Sequence, residues 1–238
     1  MKKIFLFGFA AIWGSMLFAQ GAVIRDANAQ ARDVKGFHAI EISSAISAII
    51  SAGGEEAVAV SAIDTKYRDL IRTEVRDGVL KIWLENEGWT WTHGDKKLKA
   101  YISYKSIDRL TASGASNITA EGTLTAGHLE IRLSGASDFK GSVKTDQFRL
   151  EQTGASDATI SGSAQKAELV LSGASDIKGY DFTAVECHVE ASGASDVKIS
   201  VSKELYAGAS GASSVHYKGE GVIKEIRSSG ASSVSSRN

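Results

Sequence analysis

The sequence predicts an all-β fold, a parallel β-helix-like solenoid with one coil for about every 19 residues, right-handed by the usual rule for parallel crossovers. Three observations predict it. The tripeptide Gly-Ala-Ser occurs seven times, the residues that flank each copy alternate between apolar and polar, and proline is absent from the 238 residues. A fixed period near 20 residues is typical of stacked repeats, and alternation with period 2 is typical of strands. Proline cannot donate a backbone hydrogen bond, so its absence fits coils that are hydrogen-bonded throughout.

The regular part of the solenoid is predicted to span residues 111–238. Its seven tripeptides begin at Gly114, Gly135, Gly154, Gly173, Gly193, Gly211 and Gly230. The positions four residues before and four residues after these glycines are apolar in every copy, which predicts two inward columns of a stacked core. The serine two positions after each glycine is expected to point inward if the strand is continuous, or to change direction if glycine bends the chain.

An outward column gives independent support for the stack. Five residues before each glycine the chain has mostly charged side chains of alternating sign: Arg109, Glu130, Arg149, Glu168, His188, Tyr206 and Glu225. In a parallel stack in register, equivalent residues of neighbouring coils lie ~4.8 Å apart. Opposite charges attract at that spacing and like charges repel, so this column is predicted to fix the register of the coils.

The first 19 residues are predicted to be a secretory signal peptide. Lys2 and Lys3 precede an apolar stretch over residues 4–19, which is shorter than the roughly 20 residues that a membrane span needs. Residues 20–33 are predicted to be a flexible N-terminal segment. We therefore expect an exported protein, in the periplasm, on the outer-membrane surface or outside the cell, with no stable membrane span after signal cleavage.

Residues 34–110 are predicted to form irregular N-terminal β coils that cap the solenoid. They lack the tripeptide but keep short apolar-rich runs, at 34–42, 45–51 and 57–62. Residues 64–71 are expected to contain a helical turn, and residues 72–84 a hairpin around Asp77-Gly78. A cap is expected here because the end of a solenoid otherwise exposes open strand edges.

Several features of this region and of the repeat together resemble one bacterial family. They are Phe37-x-x-Ile40, the run ISAIISAGGEEAVAV over residues 46–60 interpreted as a hairpin, the run EVRDGVLKI over residues 74–82, and the repeated Ser-Gly-Ala-Ser-Asp. The family is that of auto-transporter adhesin head domains, also called the head GIN domain or DUF2807. The resemblance covers roughly residues 34–236. It implies a secreted β-solenoid with an adhesin-like role, and it supplies no catalytic residues.

Composition and residue placement argue against several functions. Lysine plus arginine number 27 against 28 acidic residues, so no basic field attracts nucleic acid. The single Cys187 excludes an intrachain disulfide and a multi-cysteine metal site. Most acidic residues fall in repeated columns, whereas glycoside hydrolysis needs two carboxylates at one bond. We therefore expect a non-enzymatic, adhesin-like surface-interaction module of the cell envelope without a cofactor. The alternatives are a polysaccharide-active β-helix enzyme, lyase or hydrolase, and a purely structural envelope protein.

One acidic column is a candidate for metal binding. Three residues after successive glycines lie Asp138, Asp157, Asp176 and Asp196, whose stacked carboxylates would repel one another unless something neutralises them. Calcium is one answer, since it takes oxygen ligands. The other is that each aspartate caps a turn by accepting backbone hydrogen bonds, with a lysine nearby. We expect turn capping and no bound metal.

The candidate binding residues are Trp89, Trp91 and His93. They alternate in a polar loop that follows neither the strand pattern nor the repeat, and loops of this kind carry binding residues on many scaffolds. Exposed aromatic side chains beside polar groups stack on sugar rings and serve as contact residues between proteins. The expected partner is a surface glycan, a protein or a second copy of the chain. Alternatively, the indoles cover the end of the solenoid.

Overall fold

A computed structural model describes residues 18–19, 22–23, 26–85 and 96–237, so most of the predicted signal peptide lies outside it. The first nine strands are β1 (Phe18–Ala19), β2 (Ala22–Val23), β3 (Gln30–Arg32), β4 (Ala39–Ile42), β5 (Ser47–Ala52), β6 (Ala57–Ser61), β7 (Ile71–Arg76), β8 (Val79–Leu84) and β9 (Lys99–Tyr104). The others are β10 (Arg109–Ala112), β11 (Asn117–Leu133), β12 (Asp138–Gln152), β13 (Asp157–Leu171), β14 (Asp176–Ala191), β15 (Asp196–Ala209), β16 (Ser214–Lys218), β17 (Val222–Ser228) and β18 (Ser233–Ser236). A four-residue helix, α1 (Thr65–Arg68), lies between β6 and β7. Within these ranges no helix is long and apolar enough to cross a membrane.

The long strands of the second half stack in parallel, one coil upon the next. Strands β11 to β15 are 14–17 residues long, and each runs through most of one coil. The main sheet has the order β18-β16-β15-β14-β13-β12-β11-β10-β4-β8-β7. Asp138 pairs with Asp157 and Asp157 with Asp176, one repeat apart, and register shifts are confined to a few bulges. The predicted all-β, parallel solenoid with about 19 residues per coil is confirmed.

Each Gly-Ala-Ser tripeptide forms a turn between two strands, and the turns of successive coils stack directly on one another. The seven glycines have φ between 75° and 84°, in the left-handed region that favours glycine. The N–H of the alanine that follows donates to the carbonyl oxygen of the glycine one coil earlier, at 2.7–2.8 Å. A Cβ atom on Gly173 would lie 2.3 Å from the carbonyl oxygen of Gly154. The stack therefore leaves no room for a side chain.

The serine of the tripeptide points inward although the chain turns at the glycine. In the first six tripeptides the serines are at most 2% exposed. The Oγ atoms of Ser137, Ser156, Ser175, Ser195 and Ser213 each donate to the carbonyl oxygen three residues earlier, at 2.7–3.0 Å. The chain therefore bends at the glycine, as one of our alternatives has it, but the serine does not change direction as that alternative expects, because its hydroxyl closes the turn from the inside.

The predicted inward columns form the core. Residues four positions before a glycine are at most 3% exposed from Leu110 to Ala207, and residues four positions after are at most 1% exposed from Ile118 to Val215. The last coil differs: Ile226 is 45% exposed, and Val234 is only partly buried. No further strand of the described chain packs on this coil, so its inward side chains are left half covered.

The N-terminal strands continue the stack and then cover it. Strands β4 and β5 form the coil before β10 and β11, and β8 and β9 pair in parallel with β4 and β5. Beyond them β7, β6 and β3 run antiparallel to their neighbours. The hairpin interpreted from residues 46–60 is wrong: β5 and β6 do not pair, because β11 and β9 occupy the two edges of β5 and β6 takes the far edge of β9.

Two local expectations for this half are confirmed. Strands β7 and β8 form a hairpin whose turn residues, Asp77 and Gly78, have φ of 51° and 75°. Both values are positive, as the tight two-residue hairpin turn requires. The predicted helical turn is α1. Asp64 caps its N-terminus, since its side chain accepts a hydrogen bond from the backbone N–H of Lys66 at 3.0 Å.

Part of the segment predicted to be flexible, residues 26–32, contacts the N-terminal coils. Residues 30–32 form β3, which pairs antiparallel with β6. The hydroxyl of Tyr101 donates to Asp26 at 2.9 Å, and the side-chain amide of Asn28 donates to the carbonyl of Ala62 at 3.1 Å. These contacts attach residues 26–32 to the N-terminal end of the solenoid.

Candidate functional site

The sequence-predicted binding residues Trp89, Trp91 and His93 lie in residues 86–95, which are outside the described part of the chain. The strands on either side, β8 and β9, belong to the N-terminal coils. The involvement of these three residues in binding therefore stays a prediction.

The aspartate column is placed as predicted, on the outside of the turns and in register. Asp138, Asp157, Asp176 and Asp196 are neighbours across successive parallel strands. Their side chains do not cap the turns, which corrects our expectation. Among the described residues, none of the four accepts a hydrogen bond from a backbone N–H. The backbone N–H groups of the turns donate instead to carbonyl oxygens of the preceding coil, as that of Ala155 does to Gly135 at 2.7 Å and that of Asp157 to Ser137 at 3.2 Å.

At the two ends of this column, neighbouring side chains supply hydrogen bonds and positive charge. Lys198 donates to Asp196 at 2.6 Å, and His216 lies 3.8 Å from the same carboxylate. The amide of Asn117, in its hydrogen-bonding orientation, donates to Asp138 at 3.2 Å. The described residues contain no group of three or more His, Cys, Asp or Glu side chains arranged to hold a metal ion.

We therefore expect millimolar calcium to leave the melting temperature unchanged, because a ligand that does not bind the native state cannot stabilise it. The measurement is a thermal melt with calcium and with a chelator. A rise of several degrees with calcium that disappears in Asp157→Asn would contradict this expectation and show a cation on the column.

A groove of about 530 Å³ lies on the outer side of strands β11 to β14. We call it the charged groove. Its polar lining residues are His128, Gln147, Arg149, Lys166, Glu168, Glu186, His188 and Glu190. Its volume is within the range of clefts that hold small ligands or part of a larger one.

The charged groove is built from two neighbouring outward columns of the repeat. The column five residues before each glycine contributes Arg149, Glu168 and His188, and the column seven residues before contributes His128, Gln147, Lys166 and Glu186. Because the strands pair in register, both columns run straight across the coils. Phe148 and Ala167, which lie between the two columns, complete the lining. The shape of the groove thus follows from the period of the sequence.

Arg149 connects carboxylates of three coils. Its Nε atom lies 3.0 Å from Oε1 of Glu151 and 3.8 Å from Oε1 of Glu130, and its guanidinium also contacts Glu168. Hydrogen bonds to Glu151 and then to Glu168 raise the pKa of Arg149 further above its usual value. The attraction between opposite charges that the sequence predicted for this column therefore operates across the coils.

At the other end of the groove, Glu186 likewise contacts several charged or polar side chains. Its carboxylate lies 3.0 Å from Nε2 of His188 and 3.2 Å from Nζ of Lys166. The hydrogen bond with His188, and after it the one with Lys166, lowers the pKa of Glu186. The ring of His188 is stacked on that of Tyr206, with centroids 4.3 Å apart and planes within 7°. An aromatic pair of an exposed His188 and a half-buried Tyr206 thus adjoins the charged residues.

This arrangement offers hydrogen-bond donors, acceptors and a ring face to a ligand. Carboxylates accept hydrogen bonds from hydroxyl groups, lysine and glutamine side chains donate them, and a flat ring face next to polar groups packs on a sugar.

Sequence reasoning found one side of this groove and missed the other. The column of Arg149 and Glu168 was identified from its alternating charges. The second column lies seven residues before successive glycines and shares the outward parity of the first, so the aligned repeats contained the signal. Its members are His128, Gln147, Lys166 and Glu186. The sequence analysis missed this column because its four side chains share neither a residue type nor a pattern of charge.

Fold and groove together define the class: a parallel β-solenoid that presents a polar groove on one outward face. Within that class the chain belongs to the family described as "Putative auto-transporter adhesin, head GIN domain", which matches residues 36–221. This confirms the resemblance seen in the sequence.

Solved structures of similar fold come from Bacteroides and Parabacteroides species. A "putative adhesin" of Bacteroides fragilis NCTC 9343 has a TM-score of 0.80 at 20% identity, covering 88% of this chain and 96% of that one. A "putative adhesin" of Parabacteroides distasonis ATCC 8503 has 0.71 at 17%, covering 88% and 96%. A "putative lipid binding protein" of the same organism has 0.68 at 16%, covering 89% and 97%. At these identities the similarity shows the fold. The search of curated proteins found no match.

Proposed function

We propose that this chain is an exported, adhesin-like module of the cell envelope that binds a surface glycan in the charged groove and does not cleave it. Membership of a family described as auto-transporter adhesin head domains supports the adhesin role. The periodic outward face supports the choice of a glycan, since a chain of sugar units presents hydroxyl groups at regular intervals along a groove.

The observation that carries this proposal is the pairing of charges across rigid coils. Glu168 contacts Arg149, and Glu186 contacts Lys166 and His188, so the groove offers donors and acceptors without a strong net charge. Each of these side chains lies on a strand paired on both sides. A site held in place in this way loses little conformational entropy when it binds.

The test is a glycan array probed with the purified protein and with the double variant Gln147→Ala, Lys166→Ala. Both side chains are exposed and line the groove, so their removal should leave the melting temperature unchanged. We expect at least about a ten-fold loss of affinity, which corresponds to about 1.4 kcal/mol. Lys144→Ala is the matched control, since Lys144 is an exposed lysine on β12 outside the groove lining, and it should bind as the unaltered protein does.

A separate variant tests the loop residues predicted from the sequence. The double change Trp89→Ala, Trp91→Ala should leave the melting temperature nearly intact and abolish adhesion if the loop makes the main contact. Unfolding of this variant would instead assign the pair to the cap of the solenoid. Full glycan binding by the folded loop variant, together with loss of binding in the groove variant, would place the contact in the charged groove alone.

A further inference from the structure

A second concave surface lies beside the charged groove on the same outward face of the solenoid. Its volume is about 340 Å³, within the range of clefts that hold small ligands. Three neighbouring residues of the column three positions before each glycine cross it: Glu190 on β14, Gly208 on β15 and Arg227 on β17. We call this surface the glycine notch. It lies on the face of paired strands and not at a strand edge.

Gly208 gives the notch its depth. Its φ lies outside the left-handed region, and its pairing with both neighbouring strands is regular, so neither a turn nor a bulge requires glycine there. A Cβ atom on Gly208 would meet the carboxyl group of Glu190. Glycine inside a strand weakens it, and one reason for its presence is the close approach of another group. Here the strand gives up a side chain so that the carboxyl group of Glu190 can lie over Gly208.

The carboxylate seated in this way has no partner in the described part of the chain. The other glutamates of the columns three, five and seven positions before the glycines, on strands β11 to β17, all form ion pairs; they are Glu130, Glu151, Glu168, Glu186, Glu204 and Glu225. The carboxylate of Glu190 forms neither a hydrogen bond nor an ion pair among the described residues. Glu190 also lines both the charged groove and the notch. An acceptor is therefore free for a ligand where the two surfaces meet.

Arg227 faces Glu190 from the other side of Gly208. The strands of the two residues are two strand spacings apart, roughly 10 Å. The hydrogen bond with Glu225 raises the pKa of Arg227, and the attraction of Glu190 adds to the rise, so the two charges act on each other across the notch. The carboxylate repels an anionic group, and the guanidinium repels a cationic one.

An uncharged group that carries hydroxyls avoids both repulsions. Glutamate accepts hydrogen bonds from hydroxyl groups, and arginine donates hydrogen bonds to them. The lining also includes Ser192, Ser210 and Ser229, whose side chains can both donate and accept. The chemistry of the notch therefore matches a neutral sugar better than an acidic sugar or an amino sugar.

We propose that the glycine notch is a second sugar subsite, which binds an uncharged sugar ring between Glu190 and Arg227. The hydroxyls of the ring donate to the carboxylate of Glu190, on the floor of the notch, and accept from Arg227 at its far wall. The inference rests on the proposed function, in that the glycan in the charged groove continues past Glu190 into the notch. The two sites together then select a neutral chain that is long enough to fill both.

The test is an array printed with neutral oligosaccharides of increasing length and with acidic and amino sugars of similar size. Two variants are compared with the unaltered protein: Gly208→Leu, which fills the notch, and Arg227→Ala, which removes its far wall. We expect the unaltered protein to bind long neutral chains at least about ten-fold more tightly than short ones. Each variant should lose this gain and still bind short chains in the charged groove.

Both variants should fold, so the loss can be assigned to the notch. Leucine suits a strand better than glycine, and the side chain of Arg227 is 71% exposed, so the melting temperature should not fall. Arg132→Ala is the matched control. Arg132 lies in the same column on β11, its side chain is 52% exposed, and it lines neither surface. This control should keep the full preference for long chains.

The outcomes separate the second subsite from the charged groove. Equal binding of every chain length by the unaltered protein, Gly208→Leu and Arg227→Ala would overturn the subsite and leave the charged groove standing. Long-chain binding that is lost in Gly208→Leu and kept in the double variant of Gln147 and Lys166 would support the notch and contradict the charged groove. Tighter binding of acidic or amino sugars that depends on Arg227 would overturn the choice of a neutral sugar. Absence of binding to every printed glycan would overturn both proposals.

Discussion

Replacement of Gly173 by alanine is expected to lower the free energy of unfolding by roughly 2–5 kcal/mol. Alanine in the left-handed region costs about 1–2 kcal/mol. The new Cβ atom would also lie 2.3 Å from the carbonyl oxygen of Gly154, and that oxygen accepts the N–H of Ala174 at 2.7 Å. The two coils must separate to admit the methyl group, and overpacking of this kind costs about 1–3 kcal/mol.

Gly122→Ala is the matched control for this change. Gly122 has φ of 80°, close to the 84° of Gly173, but a Cβ atom there would have no heavy atom within 4 Å. Urea melts should therefore show the cost of backbone strain alone, about 1–2 kcal/mol. Equal losses in the two variants would mean that the stacked turns tolerate a methyl group, contrary to the geometry described above.

Leu169→Ala is expected to cost about 2–5 kcal/mol, the usual range for large-to-small changes in a core. Leu169 is fully buried in a central coil, with equivalent residues Leu150 below it and Val189 above. Neighbouring strands hydrogen-bonded on both sides cannot move in to fill the space. Chemical denaturation followed by circular dichroism measures the difference.

Its neighbour Glu168 supplies the comparison. Glu168 is outward, its side chain is 51% exposed, and it contacts Arg149. Arg149 keeps Glu151 and Glu130 as partners when Glu168 becomes alanine, so we expect a loss under about 1 kcal/mol. Similar losses for Leu169→Ala and Glu168→Ala would contradict the assignment of inward and outward positions.

The regular coils were predictable because one repeat determines each of them in the same way. The glycine spacing placed the turns, the parity of Leu169 and its equivalents placed the core, and the alternating charges around Arg149 placed one side of the groove. These features were predictable because, in a stack in register, residues one sequence period apart are neighbours in space.

The N-terminal coils were less predictable because their pairing is not sequential. At the first turn Ser44 and Ala45 have φ of 66° and 60°. Ser44 takes the place that glycine has in the repeats, so the Gly-Ala-Ser tripeptide does not mark this turn. Strand β9 enters between β5 and β6 from about forty residues further along the chain. Local patterns contain no information about such an insertion, and a hairpin over residues 46–60 was the simplest local interpretation.

The parallel ladder holds the charged groove in place, since its residues on β12, β13 and β14 lie on strands that are hydrogen-bonded on both sides.

The central claim is that the charged groove binds a glycan and leaves it intact. The most direct measurement is mass spectrometry of the glycan that the array identifies, recovered after prolonged incubation with the protein at a concentration that saturates the groove. The account predicts an unchanged mass and no new reducing or unsaturated ends, together with a dissociation constant that rises in the groove variant. Shortened products that appear with the unaltered protein and disappear with the groove variant would contradict it, and would identify the groove as the active site of a polysaccharide-cleaving enzyme.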